Sequence, residues 1–321
     1  MPQITFPTRS PFTLADMMRG NAPPITGAGH LQTPGAVARA KSRPAVVILP
    51  GLGGIIPERE LRYGKMLAEQ GYVTLAVDTF GSRDAAYSNH TLRALRVTET
   101  MMLADAYAAM AHLARLPMVD PARIAVMGFS YGAMIAVLAA YEQLARLFAV
   151  EDQRFAAHVS YYGCSVPRLD DPTTTGAPVE MFLGQLDRNV DPRRSREIAD
   201  DLTRGGSKVG FHLFPDTYHQ WDSQNLTKKF VRFSLLSCRF AVDPQNNLRD
   251  LRTRIGIAGR LSRTLALIAN ADPRGYHMLR DEGVLAKTDA RLSEFLAEAL
   301  EHRPAVTAGH GDGARTAPAR R

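Results

Sequence analysis

Cysteine is nearly absent: the 321 residues hold two, Cys164 and Cys238, in no spacing that suits a metal site or a redox pair. That leaves no cysteine metal site or redox pair to read, and of a structural disulfide and free thiols in a reducing compartment the second is simpler. No apolar run approaches the ~20 residues of a spanning helix. The N-terminal MPQITFPTRS has no charged region followed by an apolar core. Neither a membrane association nor a signal peptide is expected, and a cytoplasmic location follows by default. Internal repeats at solenoid spacing are missing too. The net charge is +7, with basic clusters at residues 193–196 and 249–263. No aromatic-interleaved basic stripe accompanies them, so a solvated surface is preferred to a nucleic-acid interface. Apolar residues make up 45% of the chain, enough for a large core.

What is present is an alternation. Short apolar runs rich in β-branched residues, read as buried strands, occupy 45–49, 72–78, 123–127, 156–162, 178–184 and 209–214. Between them lie helix-like stretches at 58–70, 92–116, 133–146 and 193–204. This rhythm predicts an α/β fold with a mostly parallel central sheet covered by helices on both faces. Residues 1–44 read as an N-terminal segment with short strands at 3–6 and 25–32, and 45–222 as the core. Residues 223–302 read as a C-terminal extension. It holds a small hairpin or added strand at 230–243, an amphipathic stretch with an arginine-rich face at 248–269, and a terminal helix from 281. Residues 303–321 lack periodicity and read as a disordered tail.

The chemistry centres on Gly128-Phe129-Ser130-Tyr131-Gly132, a G-x-S-x-G between an apolar run and a helix-like stretch. Strand, glycine-flanked serine and helix are the context of a nucleophile elbow. A serine hydroxyl needs a neighbouring base, and in this arrangement the acid and then the histidine follow the serine. Asp187 lies just past the run 178–184, and His219 follows the last core run. Asp191 competes as the acid, but Pro192 after it suggests a helix cap. His158 and His212 fall inside strands. An acyl-transfer site also needs backbone donors for an oxyanion. Tyr131, after the nucleophile, supplies one, and Leu52, in the turn 50–54, is the best candidate for the other. Tyr162, Tyr218 and Trp221 could line the pocket or pack in the core.

With these residues in place, the chain resembles the dienelactone hydrolase family of α/β-hydrolases. The segments that carry the resemblance are VVILPGLGG (46–54), GYVTLAVDTFGSR (71–83), VDPARIAVMGFSYGA (119–133), GQLDRNVDP (184–192) and FPDTYHQWD (214–222). The resemblance implies a cofactor-free hydrolase of small carboxylic esters or lactones, with a triad at Ser130, Asp187 and His219. It also implies that Arg83 binds a substrate carboxylate, for which a planar guanidinium is suited. The departures are specific. Dienelactone hydrolases proper use a cysteine nucleophile where this chain has Ser130, and a glutamate beside it where this chain has Gly51. A serine without that glutamate resembles the family's general esterases. About 60 residues separate the histidine segment from the terminal helix, an insertion that could cover the site or form a homodimer contact. Two other readings compete: a peptidase or amidase of the prolyl-oligopeptidase type, and a non-catalytic binding protein on the same fold.

Overall fold

The apolar runs become neighbouring strands of one sheet. The computed structural model describes residues 2–35, 42–85, 90–163, 167–232 and 234–300. In chain order the strands are β1 (Gln3–Arg9), β2 (Pro24–Gln32), β3 (Arg43–Leu49), β4 (Val73–Val77), β5 (Val119–Phe129), β6 (Ala157–Tyr161), the two-residue β7 (Arg168–Leu169), β8 (Val179–Gly184) and β9 (Val209–Phe214). Eight of them form the central sheet, in the order β1-β2-β4-β3-β5-β6-β8-β9. The six from β3 to β9 run parallel, and β1 and β2 add an antiparallel edge by pairing with each other and with β4. The residues at 303–321 expected to form a tail, and Cys164, lie outside the described residues.

Strand alternation divides the core in two. Ala45, Val47 and Leu49 of β3 point into one apolar cluster, while Val46 and Ile48 point into the other. Both faces are therefore buried, which is why the central strands read as unbroken apolar runs. One face is covered by α2 (Arg62–Glu69) and the terminal α9 (Glu282–Ala299), joined by an ion pair between Arg62 and Asp289 at 2.8 Å. The other face carries α4 (Glu99–Ala114), α5 (Tyr131–Leu138), α6 (Glu142–Phe148) and α7 (Pro192–Arg204). Of the shorter helices, α1 (Leu14–Met18) joins β1 to β2 and α3 (His90–Arg96) precedes α4.

Two helices expected to be continuous are broken, each by a local competitor for backbone bonds. In the stretch 92–116, Thr98 takes extended backbone angles and its hydroxyl accepts from the Met101 amide at 3.4 Å, capping α4 and separating it from α3. In 133–146, Tyr141 forms a β-bridge with Thr174 and the Glu142 amide donates to Thr173 at 3.0 Å, so α5 and α6 are distinct.

The extension after β9 is built from β10 (Lys229–Val231), β11 (Phe240–Val242), β12 (Leu248–Asp250), α8 (Arg260–Asn270) and β13 (Tyr276–Met278). The segment 230–243 is not a hairpin. β10 pairs with the distant β13, whereas β11 pairs with β12 and with β7 of the core. Only the second half of 248–269 is helical, and α8 turns Arg263, Ala266 and Asn270 inward while Leu261, Leu265 and Ile268 face out. Among the described residues, no helix is long and apolar enough to cross a membrane.

His158, inside β6, is fully buried and bonds the Ala136 carbonyl through Nδ1 at 2.9 Å, while its Nε2 has no partner among the described residues. Burial outweighs that bond and holds its pKa down to about 4, against an ordinary 6.5. The unfolded chain therefore takes up this proton at a higher pH than the folded one. The stability it confers is complete above pH 6.5 and is lost as pH falls toward 4, roughly 3 kcal/mol in all. Thermal melts of the wild type should drop over that window, and His158→Gln should flatten the drop. Parallel melting curves for the two proteins would refute this account.

Candidate active site

β5 ends at Phe129 and α5 begins at Tyr131, leaving Ser130 alone between strand and helix. Its backbone sits at φ 51° and ψ −107°, a conformation that L-residues seldom adopt. The flanking glycines make this possible. A Cβ on Gly132 would lie 2.5 Å from the Leu49 carbonyl oxygen of β3, and one on Gly128 would collide with the Gly132 backbone. Strand and helix can then approach closely enough to lift the serine hydroxyl above the carboxyl edge of the sheet.

The structure brings the other two residues of the expected triad to the same edge. His219 Nδ1 lies 2.5 Å from Asp187 Oδ2, and His219 Nε2 lies 3.1 Å from Ser130 Oγ. A carboxylate at Nδ1 keeps the proton on that nitrogen and leaves Nε2 to accept from the serine hydroxyl. Asp187 is fixed in turn, because its Oδ1 accepts from the amides of Asn189 at 2.7 Å and Val190 at 3.2 Å. Its loop is tied to the histidine loop by the Leu186 amide donating to Thr217 at 3.0 Å. Asp191 is occupied elsewhere. It caps α7 through the Arg193 amide and pairs with Arg239 at 2.6 Å.

The turn after β3 closes with the Gly54 amide donating to Gly51 at 2.9 Å, which leaves the Leu52 amide free of that bond. A Cβ built on Gly51 would stand 3.5 Å from Ser130 Cβ, so this turn runs beside Ser130. Tyr131 is the first residue of α5, where a helix amide has no internal acceptor. The turn at Leu52 and the start of α5 at Tyr131 thus both adjoin Ser130.

The remaining expected residues separate. Arg83 does not join the group, because all five of its N–H donors are engaged: by both Asp105 oxygens, Ser10 Oγ, and the Thr79 and Arg9 carbonyls. It anchors the β1–β2 edge to α4. Trp221 is fully buried and donates to Thr288 of α9 at 3.3 Å, a core position. Tyr218 accepts from Lys228 at 2.7 Å near the surface. Tyr162 packs edge-on against the His219 ring, with centroids 4.9 Å apart, and its hydroxyl donates to Asp222 at 2.6 Å. Burial raises the Asp222 pKa, an effect opposed by the nearby Arg59 guanidinium.

Several neighbours escaped the reading of the sequence. Arg59 and Glu60 form a fully buried pair at 2.6 Å, with the Arg59 guanidinium over the Phe129 ring at 5.2 Å. Opposite charges side by side ahead of an apolar helix were the available signal. Tyr276 lies 5.1 Å from the His219 ring, and the His219 amide donates to the His277 carbonyl at 3.3 Å. Nothing local in the sequence points to β13, because that contact is made over 58 positions. Arg93 donates to the Leu52 carbonyl at 2.7 Å.

The two acidic candidates make different predictions. Asp187→Asn should lower kcat on an ester by about 10³-fold or more, with melting little changed. Asp191→Asn should keep kcat within a few-fold while lowering stability by about 1 kcal/mol through the weakened cap. The reverse pattern would transfer the orienting role to Asp191.

A sequence model of the dienelactone hydrolase family matches residues 29–228. A curated relative from Grosmannia clavigera, named "Probable dipeptidyl-aminopeptidase B", is 29% identical over 175 residues, covering 47% of this chain and 18% of that protein. The chain thus spans under a fifth of that relative. A dienelactone hydrolase-like promiscuous phosphotriesterase from metagenomic libraries has a similar structure at a TM-score of 0.56 and 16% identity, covering 93% of this chain and 99% of that one. The structure designated m3DLH aligns at a TM-score of 0.52 and 18% identity, covering 68% and 84%. These likenesses establish an α/β-hydrolase fold.

Proposed function

Because the chain belongs to the dienelactone hydrolase family, we propose that it is a serine hydrolase of small carboxylic esters or lactones, working through an acyl-enzyme on Ser130. The observation that carries this reading is the single line of contacts from Asp187 Oδ2 through His219 to Ser130 Oγ, at 2.5 and 3.1 Å. Ser130 Oγ attacks the carbonyl carbon and its proton passes to His219 Nε2. The amides of Leu52 and Tyr131 hold the tetrahedral oxyanion. As the intermediate collapses, His219 gives the proton to the departing alkoxide. Water then repeats the sequence on the acyl-enzyme and releases the acid. Asp187 keeps the imidazole oriented and stabilises its cationic form without taking the proton.

Amide cleavage by the same three residues is the competing reading, motivated by the partial likeness to a relative named as an aminopeptidase. p-Nitrophenyl acetate and butyrate, dipeptidyl p-nitroanilides and a fluorophosphonate probe distinguish them. Ester turnover and covalent labelling should both vanish in Ser130→Ala, with kcat down by about 10³-fold or more. Turnover confined to the anilides would move the assignment to a peptidase. A folded protein that neither labels nor turns over any of them would remove the catalytic reading.

A further inference from the structure

Helix α8 lies beyond the residues matched by the family, yet it sends one side chain to the edge of the site. Arg263 is buried, with a relative exposure of 2%. Its Nη1 and Nη2 donate to the two Glu99 oxygens at 2.6 and 2.9 Å, and Nη2 also donates to Tyr131 Oη at 3.1 Å. Nε and Nη2 reach the Ala94 carbonyl at 3.3 and 3.1 Å. The Tyr131 hydroxyl in turn donates to the Val97 carbonyl at 3.0 Å. Burial by itself would raise the Glu99 pKa, but the guanidinium overrides it and holds the carboxyl below its usual value. The carboxyl is therefore held in its charged form beside the guanidinium.

These bonds converge on one segment, residues 93–99. Arg93 holds the Leu52 carbonyl at 2.7 Å, on the peptide chain that supplies one oxyanion donor. Val97 holds the hydroxyl of Tyr131, whose amide supplies the other. Ala94 and Glu99 are both held by Arg263. We infer that Arg263 is a positioning residue: by fixing segment 93–99 against Tyr131 it sets the distance between the Leu52 and Tyr131 amides, so that the C-terminal extension completes the oxyanion site. This rests on the hydrolase reading above. A donor displaced by a fraction of an ångström stabilises the oxyanion less while barely affecting the ground-state carbonyl.

Arg263→Lys keeps the charge beside Glu99 but cannot bridge Glu99, Ala94 and Tyr131 together. Tyr131→Phe keeps the ring and its packing and removes only the hydroxyl anchor. Each should lower kcat on p-nitrophenyl butyrate roughly tenfold to a hundredfold with KM within about twofold. The Ki of a trifluoromethyl ketone, which forms the tetrahedral adduct, should rise by the same factor as kcat falls. If Arg263→Lys does not fold, Tyr131→Phe carries the test. Variants that melt earlier but keep wild-type kcat and Ki would overturn the inference and leave Arg263 a structural residue. A rise in KM with kcat unchanged would also overturn it. A wild type inert to both ester and ketone would instead overturn the function proposed above, and this inference with it.

Discussion

Everything at the sheet edge depends on the backbone at Ser130 being held where it would not rest by itself. A residue at φ 51° and ψ −107° is stable only if its surroundings permit no alternative. Here the constraint is steric and comes from β3. The Leu49 and Pro50 carbonyls press on Gly132, whose own backbone presses on Gly128. The Ser130 amide also donates to the Tyr161 carbonyl at 3.0 Å, tying the elbow to β6. Any side chain at either glycine would separate strand from helix and lower the hydroxyl into the sheet. The turn that holds Leu52 leaves the same strand end at Pro50, so Ser130 and that turn share one structural reference.

Below the elbow, the protein tolerates an unusual amount of buried charge. Arg59, Glu60 and Asp222 are all fully enclosed, and Tyr162 joins them through its hydroxyl. Burying ions costs several kcal/mol each unless they are paired. For the pair the compensation is local: Glu60 accepts from Nε and Nη2 of Arg59 and from the Ile56 amide at 2.8 Å. The Tyr162 backbone also lies at positive φ, 41°, directly beside the His219 ring. The Tyr162 ring is therefore held between the buried Asp222 carboxyl and the His219 imidazole.

Legibility in the sequence followed the range of the interaction. The sheet was readable because strands buried on both faces must be continuously apolar, and Val46 to Leu49 or Ile124 to Met127 can hardly serve otherwise. The placement of Ser130, Asp187 and His219 at one edge followed from their positions at strand ends, since parallel strands return every such end to the same side. Asp191 was readable as a cap because Pro192 follows it. Arg83 was not readable in this way. Its partner, Asp105, lies on α4, and only the fold shows that the pair faces the β1–β2 edge and not the nucleophile. The breaks at Thr98 and Tyr141 were hidden because a hydroxyl cap and a bridge to Thr174 compete with helix continuation without altering its apolar spacing.

The extension shows where apolar periodicity misleads. In α8 the leucine stripe suggests the inner face, yet Leu261, Leu265 and Ile268 are exposed while Arg263 and Asn270 are buried. The reason lies in what the core offers that helix. Glu99, the Ala94 carbonyl, the Tyr131 hydroxyl and, for Asn270, Asp250 at 2.7 Å are polar groups that would be stranded beneath an apolar face. A buried carboxylate without a partner is costlier than three exposed apolar side chains. The same extension also reaches the loops that carry Asp187 and His219. The Leu235 amide donates to Asn189 on the Asp187 loop at 3.3 Å, and β13 receives the His219 amide. Two loops that converge on Ser130, those of Asp187 and His219, are thus braced by residues outside the family-matched segment. The extension is therefore part of the packing around the candidate site and not an appendage hung from the core.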